Sequence, residues 1–139
     1  SKMPEIMIST DIIVGFPAET EEEFLDTVKV AKHCFNMIHV FPYSAREGTE
    51  AAGMRNQISP QAKTERVNKL LRLSKELYSE YVDKFVGRNV DVLIEQFDKK
   101  NNCYIGHTSN YIEVHLNSLE LKVGELINIK LEKSMTTSK

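Results

Sequence analysis

The sequence predicts an α+β protein in which a βαβ unit is followed by a long connecting helix and then by a small antiparallel β-barrel. Three observations carry this. Ile12-Ile13-Val14 is an unbroken β-branched run that halts at Gly15-Phe16-Pro17, and Thr20 and Glu23 follow with the spacing of a helix capping box. From Ser59 to Gly87 apolar residues hold a 3.6 period. Beyond Gly87 the texture changes to short alternating strands separated by turn residues.

Composition narrows the setting. With 139 residues, 41% apolar and 27% charged, the chain has room for one sizeable core or two small ones. A net charge of −2 recruits neither nucleic acid nor membrane in bulk. No apolar stretch approaches the ~18 residues of a membrane span and no cationic leader precedes an apolar segment, so a cytoplasmic location without a membrane partner is expected. Cys34 and Cys103 lie in segments of different character, lack disulfide or metal-type spacing, and read as reduced thiols. Lys+Arg against Asp+Glu is 5 against 9 over 1–59, 6 against 4 over 60–86 and 6 against 7 over 87–133, so only the middle segment is basic.

The β-branched run suits a strand covered on both faces, as in a parallel sheet. Residues 1–8 supply no neighbour for it, so the chain is expected to be a fragment missing an N-terminal portion of the same protein. A helix begins at Thr20, and Glu21, Glu22 and Glu23 complement its dipole, which accounts for the acid cluster without a catalytic role. Phe24, Val28, Ala31 and Phe35 form its sheet-facing side, Asn36 ends it, and Met37 to Tyr43 reads as a second strand, parallel and adjacent to the first. Ligands bind where parallel strands end, so Gly15 to Thr20 and the polar loop Tyr43 to Thr49 are predicted to share one edge.

Ser59 and Pro60 have the pattern of an N-cap and a first helical residue. Val67, Leu70, Leu71, Leu77, Tyr78, Tyr81 and Phe85 then mark the apolar face of a helix long enough to bridge two domains. Lys63, Arg66, Lys69, Arg72 and Lys75 recur every third residue, but each step falls about 60° short of a turn, so they spiral. A solvated surface is the reading, with an RNA-facing patch as the sharper alternative. Strands follow at Asn89 to Glu95, Cys103 to Thr108, Tyr111 to Leu116 and Leu126 to Leu131, with a turn at Asp98 to Asn102. So many short strands suggest a closed or partly closed barrel, which removes exposed edges. The predicted division is 1–58, the connecting helix 59–86, the barrel 87–135 and a frayed tail 136–139.

No nucleophile and base pair up, and no catalytic residue is assigned. His39, inside an apolar strand, reads as a satisfied core histidine. His107 and His115 have no acidic or cysteine partner at ligand spacing, so no metal site is expected. Gly15-Phe16-Pro17 lacks the spacing of a phosphate loop.

In order, however, DIIVGFPAET at 11–20, HVFPYSAREGTEAAGM at 39–54, the long helix and GHTSNYIEV at 106–114 resemble the C-terminal half of the radical S-adenosylmethionine methylthiotransferases, over nearly the whole chain. The resemblance implies that the βαβ unit is a remnant of the radical α/β barrel. It further implies that residues from about 87 onward form a TRAM domain, a small OB-like barrel that generally binds RNA. The GHTSNYIEV pattern is most similar to the branch that methylthiolates N6-threonylcarbamoyladenosine next to the anticodon of tRNA. Branches acting on isopentenyladenosine or on a ribosomal protein remain the alternatives.

Carried onto this sequence, the resemblance implies an S-adenosylmethionine wall from Asp11, Ile13, Gly15, Phe16, Pro17, Val40, Phe41 and Tyr43, with Ser44 and Arg46 in the loop beyond. An ion pair of Arg46 with Glu47 or Glu50 is the plainer role for that arginine. Arg88, Lys99, Lys100, Tyr104, His107, Asn110 and Tyr111 become candidate contacts to the anticodon stem-loop, since aromatic faces stack on unpaired bases. The alternative makes the barrel a positioning or protein-interaction module, with Tyr104 and Tyr111 in its core or against the long helix. Ala18 stands where the family commonly has glycine, a substitution that is awkward if its φ is positive. Glu47 and Glu50 replace commonly seen prolines, which predicts a looser loop. The three-cysteine motif for the 4Fe-4S cluster is absent, so the chain alone is expected to bind no cofactor and to be inert.

Overall fold

The computed structural model describes residues 5–118 and 120–136. The chain divides into two compact units, one of residues 8–77 and one of residues 1–7 with 78–139.

The first unit contains β1 (Ser9–Val14), α1 (Glu21–Cys34), β2 (Met37–Pro42), a 3-10 turn at Ala51–Gly53 and the first part of α2 (Pro60–Asp83). β1 and β2 pair in parallel, Asp11 opposite His39 and Ile13 opposite Phe41. The capping box is realised: the Glu23 N–H donates to Thr20 Oγ1 at 3.2 Å and the Thr20 N–H donates to Glu23 Oε2 at 2.8 Å. Ser59 Oγ accepts the Ala62 N–H at 3.2 Å and starts α2.

Val14, Phe24 and Leu70 make one buried cluster and Ala31, Ile38 and Leu77 another, with Ile12 and Val40 packed against both. Ser74 joins α2 to β2: its hydroxyl donates to the Ile38 carbonyl at 2.9 Å and accepts the Ile38 N–H at 3.3 Å.

The expectation that β1 is covered on both faces is corrected here. Helices pack on one face only, so Ile12 and Val14 turn inward while Ile13 is 60% and Phe41 52% exposed. His39 lies on the same open side and is exposed, not a core histidine.

The second unit holds the end of α2, β3 (Asn89–Asp98), β4 (Cys103–Thr108), β5 (Glu113–Leu116), β6 (Leu126–Lys130) and a 3-10 turn at Lys133–Met135. The helix stops at Asp83, short of residue 86, because its last turn tightens: Lys84 and Phe85 donate to the Tyr81 and Val82 carbonyls at 3.2 and 2.9 Å. The antiparallel sheet runs β5-β4-β3-β6, with a register shift in β3 between Ile94 and Gln96. Tyr78, Tyr81, Val82, Val92, Ile94, Ile112, Val114 and Leu131 are its most buried side chains.

A closed barrel is not what forms. Among the described residues β5 and β6 share no ladder, and one isolated bridge, Val114 to Thr136, reaches back to β5. Closure needs tilted strands long enough to stagger past one another, and β5 and β6 have 4 and 5 residues. Thr136, the first residue of the expected tail, is bridged to Val114 rather than frayed, and the rest of that tail, 137–139, lies outside the described residues.

Candidate functional site

The first candidate is the edge where β1 and β2 end. Gly15 has φ +75° and its N–H donates to Glu19 Oε1 at 3.0 Å. A Cβ there would meet Lys63 Cγ at 2.5 Å, so glycine is required both by conformation and by space. Phe16 to Glu19 is a turn closed by the Glu19 N–H to the Phe16 carbonyl at 3.0 Å, with Pro17 and Ala18 at its centre and Ala18 at φ +67°. That is the signature of a type II turn, whose third residue favours glycine.

Two side chains of α2 lock this edge. Arg66 donates to Glu19 Oε1 at 2.5 Å, to the Glu19 carbonyl at 3.2 Å and to Glu21 Oε2 at 3.4 Å, with its guanidinium 5.4 Å from the Phe24 ring centre. Lys63 lays its stem on Gly15 and donates from Nζ to the Tyr43 carbonyl at 3.2 Å. The Tyr43 N–H donates to the Val14 carbonyl at 2.7 Å, and its ring meets Phe16 edge-on at 5.4 Å.

Arg66 is buried and Lys63 half-buried, so the solvated reading of the helix charges fails for these two. Sequence reasoning missed them. The available signal was Arg66's place directly before Val67, on the side of the helix that carries Leu70.

Of the residues expected at this edge, Asp11, Ile13, Phe16 and Phe41 are exposed, while Gly15 and Pro17 are buried in the turn. Val40 turns its side chain into the core, leaving only its backbone at the edge. Arg46 is exposed and forms no ion pair with Glu47 or Glu50 among the described residues. Its carbonyl instead accepts the Thr49 hydroxyl at 2.7 Å and N–H at 3.2 Å, so the loop is organised despite lacking proline.

The second candidate is the tight turn between β4 and β5. The Tyr111 N–H donates to the Thr108 carbonyl at 3.0 Å, and the Thr108 N–H to the Ile112 carbonyl at 3.0 Å, closing a three-residue hairpin loop. Thr108 Oγ1 accepts the Ile112 N–H at 3.0 Å and bonds Asn110 Oδ1 at 2.5 Å, and Asn110 Nδ2 donates to Tyr81 Oη at 3.0 Å. Tyr81 in turn donates to the Glu5 carbonyl at 2.6 Å; burial, the largest influence, raises its pKa above the ordinary 10.0.

Asn110 is thus a structural residue, whereas Tyr111 is 71% exposed at φ +65°. His107 sits between carboxylates, Nδ1 at 2.8 Å from Glu95 Oε2 and Nε2 at 3.5 Å from Glu113 Oε2. Strand pairing, not sequence spacing, supplies these partners.

The remaining candidates spread out. Arg88 pairs with Glu5 at 2.9 Å, Tyr104 packs on Phe97 at 4.9 Å, and Lys99 and Lys100 lie on the turn that Asp98 holds through the Lys100 N–H at 2.9 Å. Cys34 is exposed in the first unit, and Cys103 is buried in the second with Sγ 3.8 Å from His115 Nδ1. Among the described residues no group of three or more His, Cys, Asp and Glu is arranged to hold a metal, and no helix is long and apolar enough to cross a membrane.

No protein-family profile matches the chain. Over 136 residues, 95% of its length, it is 38% identical to the threonylcarbamoyladenosine tRNA methylthiotransferase MtaB of Bacillus subtilis. Its relatives are tRNA methylthiotransferases. The tRNA-2-methylthio-N(6)-dimethylallyladenosine synthase of Fusobacterium nucleatum is 43% identical over 139 residues, 98% of the chain, and that of Aquifex aeolicus 40% over 134 residues, 96% of the chain. The chain spans only 30–32% of the length of these relatives.

Proposed function

We propose that the chain is the C-terminal part of a radical S-adenosylmethionine methylthiotransferase that acts on N6-threonylcarbamoyladenosine next to the anticodon of tRNA. The observation that carries this is the 38% identity to the Bacillus subtilis protein across 95% of the chain. The 106–114 pattern supports the same branch. A dimethylallyladenosine substrate is the second reading, favoured by the 43% identity to the Fusobacterium nucleatum protein.

In this reading the first unit contributes one wall of the cofactor site. S-adenosylmethionine supplies the radical and the methyl group when bound. Ile13 and Phe41 offer it an open apolar face. The Tyr43 hydroxyl, buried without a partner, is a polar group at the same strand end. Cluster ligation does not fit here: one exposed thiol in one unit and one buried thiol in the other do not make the grouped thiolates a 4Fe-4S centre needs. Those ligands belong to the rest of the parent protein, and the chain by itself does no chemistry.

The second unit acts as the RNA-docking module. Tyr111, exposed rather than buried in a core, supports that reading over a purely packing role. The test is nucleoside mass spectrometry of tRNA from cells lacking the gene. Loss of the 2-methylthio group from threonylcarbamoyladenosine is expected. Loss from the dimethylallyl nucleoside instead would favour the second reading, and an unchanged nucleoside profile would overturn both.

A further inference from the structure

Several residues of the motif at 106–114 have plain structural roles. Gly106 is required because a Cβ would lie 2.4 Å from the Leu93 carbonyl oxygen. Thr108 and Asn110 build the turn and tie it to Tyr81, and Ile112 is fully buried. Tyr111 contributes little to packing. It occupies the position of a three-residue hairpin loop that favours glycine, at φ +65°, and still leaves 71% of its surface in water. A bulky residue held in a left-handed conformation and exposed is strain kept for a reason other than folding.

Beside it lies a hollow of about 390 Å³ whose walls include Leu93, Leu126, His107 and the Glu95 carboxylate. Leu93 and Leu126 are exposed, so part of the wall is apolar and open to a ring. Asp91, Thr108 and Ser109 also line a second hollow of about 360 Å³, which contains Arg88. The two hollows therefore adjoin across the turn. Arg88 is held by a surface ion pair with Glu5, whose side chains are 55% and 70% exposed, and its guanidinium lies 5.3 Å from the Phe85 ring centre. Pairs of that kind are weak, so an incoming anion can take the guanidinium over.

We infer that these adjoining hollows hold one unpaired nucleotide of the RNA, its base stacked on Tyr111 and its phosphate at Arg88. This rests on the reading of the parent as a tRNA-modifying enzyme. The Glu95 carboxylate accepts hydrogen bonds and repels carbonyl edges, so it selects a base that presents an exocyclic amine, adenine, cytosine or guanine, over uracil, which has none. His107, bonded to Glu95 at 2.8 Å, fixes that carboxylate. The role inferred for the site is to grip the nucleotide. With 6 basic against 7 acidic residues over 87–133, stacking rather than phosphate neutralisation carries the affinity.

The test uses the full 139-residue chain and a synthetic hairpin RNA with an all-adenosine loop, with an all-uridine loop as control. Tyr111→Gly separates fold from function, since it relieves the backbone: the variant is expected to melt higher than the native chain yet bind the adenosine hairpin about five- to hundred-fold more weakly, the range of a lost base–aromatic stack. Tyr111→Phe keeps the ring and the affinity. Arg88→Ala lowers the salt dependence by roughly one phosphate, a slope change of about 0.7. Glu95→Ala erases the preference for adenosine over uridine. If Tyr111→Gly binds like the native chain, the nucleotide site is overturned while the docking role stands. If the native chain binds neither hairpin at low salt, the docking role and this site fall together.

Discussion

Glu19 Oε1 is held from two directions, by the Arg66 guanidinium at 2.5 Å and by the Gly15 N–H at 3.0 Å. The carboxylate side chain is 15% exposed and the arginine 10%, so neither charge has water to fall back on. Removing Arg66 strands the Glu19 charge. Arg66→Met should cost about 3 kcal/mol in urea unfolding. Glu19→Gln added to that variant should recover part of the loss, because the neutral amide still accepts from Gly15 while no unpaired charge remains. A double-mutant cycle with purely additive energies would show that the pair is not coupled.

Ala18 sits at φ +67° behind Pro17 in the turn that carries β1 into α1. An L-residue held left-handed costs roughly 1–2 kcal/mol, and glycine's larger unfolded-state entropy returns about 0.5–1 of that. Ala18→Gly should therefore stabilise the chain by about 0.5–1 kcal/mol, a rise of about 2 °C in melting temperature. The exposed methyl makes no buried contact to lose. A lower melting temperature would show that the backbone at 18 is not strained.

What could be read from the sequence divides along a physical line. Local signals survived: the capping box at Thr20 and Glu23, the Ser59-Pro60 helix start, the parallel pairing of β1 with β2 and the limits of β4 at Cys103 and Thr108 are all present. The caps and strand limits depend on neighbours in the chain, and the pairing on a short right-handed crossover. Features set by what comes through space did not survive. Ile12, Ile13 and Val14 look alike as a string, yet only one face of β1 meets helices. Lys63 and Arg66 look like members of a solvated spiral until the Gly15 to Thr20 turn is laid against them. His107 receives Glu95 and Glu113 by strand pairing, whereas the Glu113 partner of His115 stands two residues away in its own strand and is missed by sequence reasoning.

Tyr81 predicts an alkaline limit. Burial raises its pKa above 10.0, so the folded chain keeps the phenol proton to higher pH than the unfolded chain does. Between those two values the unfolded state binds fewer protons, so stability is intact below pH 10 and falls as pH rises through the folded pKa. The free energy of unfolding should decline across this window in the native chain. Tyr81→Phe should lose about 1 kcal/mol at neutral pH, from the bonds to Glu5 and Asn110, and then show a shallower decline. Equal slopes in the two proteins would assign the alkaline loss to other groups.

Gly106 and Gly53 make opposite predictions from the same substitution. At Gly106 a Cβ would meet the Leu93 carbonyl oxygen at 2.4 Å and Val92 Cγ1 at 2.7 Å; the first is backbone of the paired strand and has nowhere to move. Accommodating it means spreading β3 from β4 beside the register shift at Ile94 and Gln96, in the middle of the sheet. Gly106→Ala should cost about 2–3 kcal/mol, at the upper end of overpacking, and should weaken amide protection of both strands in hydrogen exchange. At Gly53 nothing lies within 4 Å and φ is not positive, so Gly53→Ala should be neutral or slightly stabilising. Similar losses at the two sites would mean that the close approach of β3 and β4 is not what requires glycine at 106.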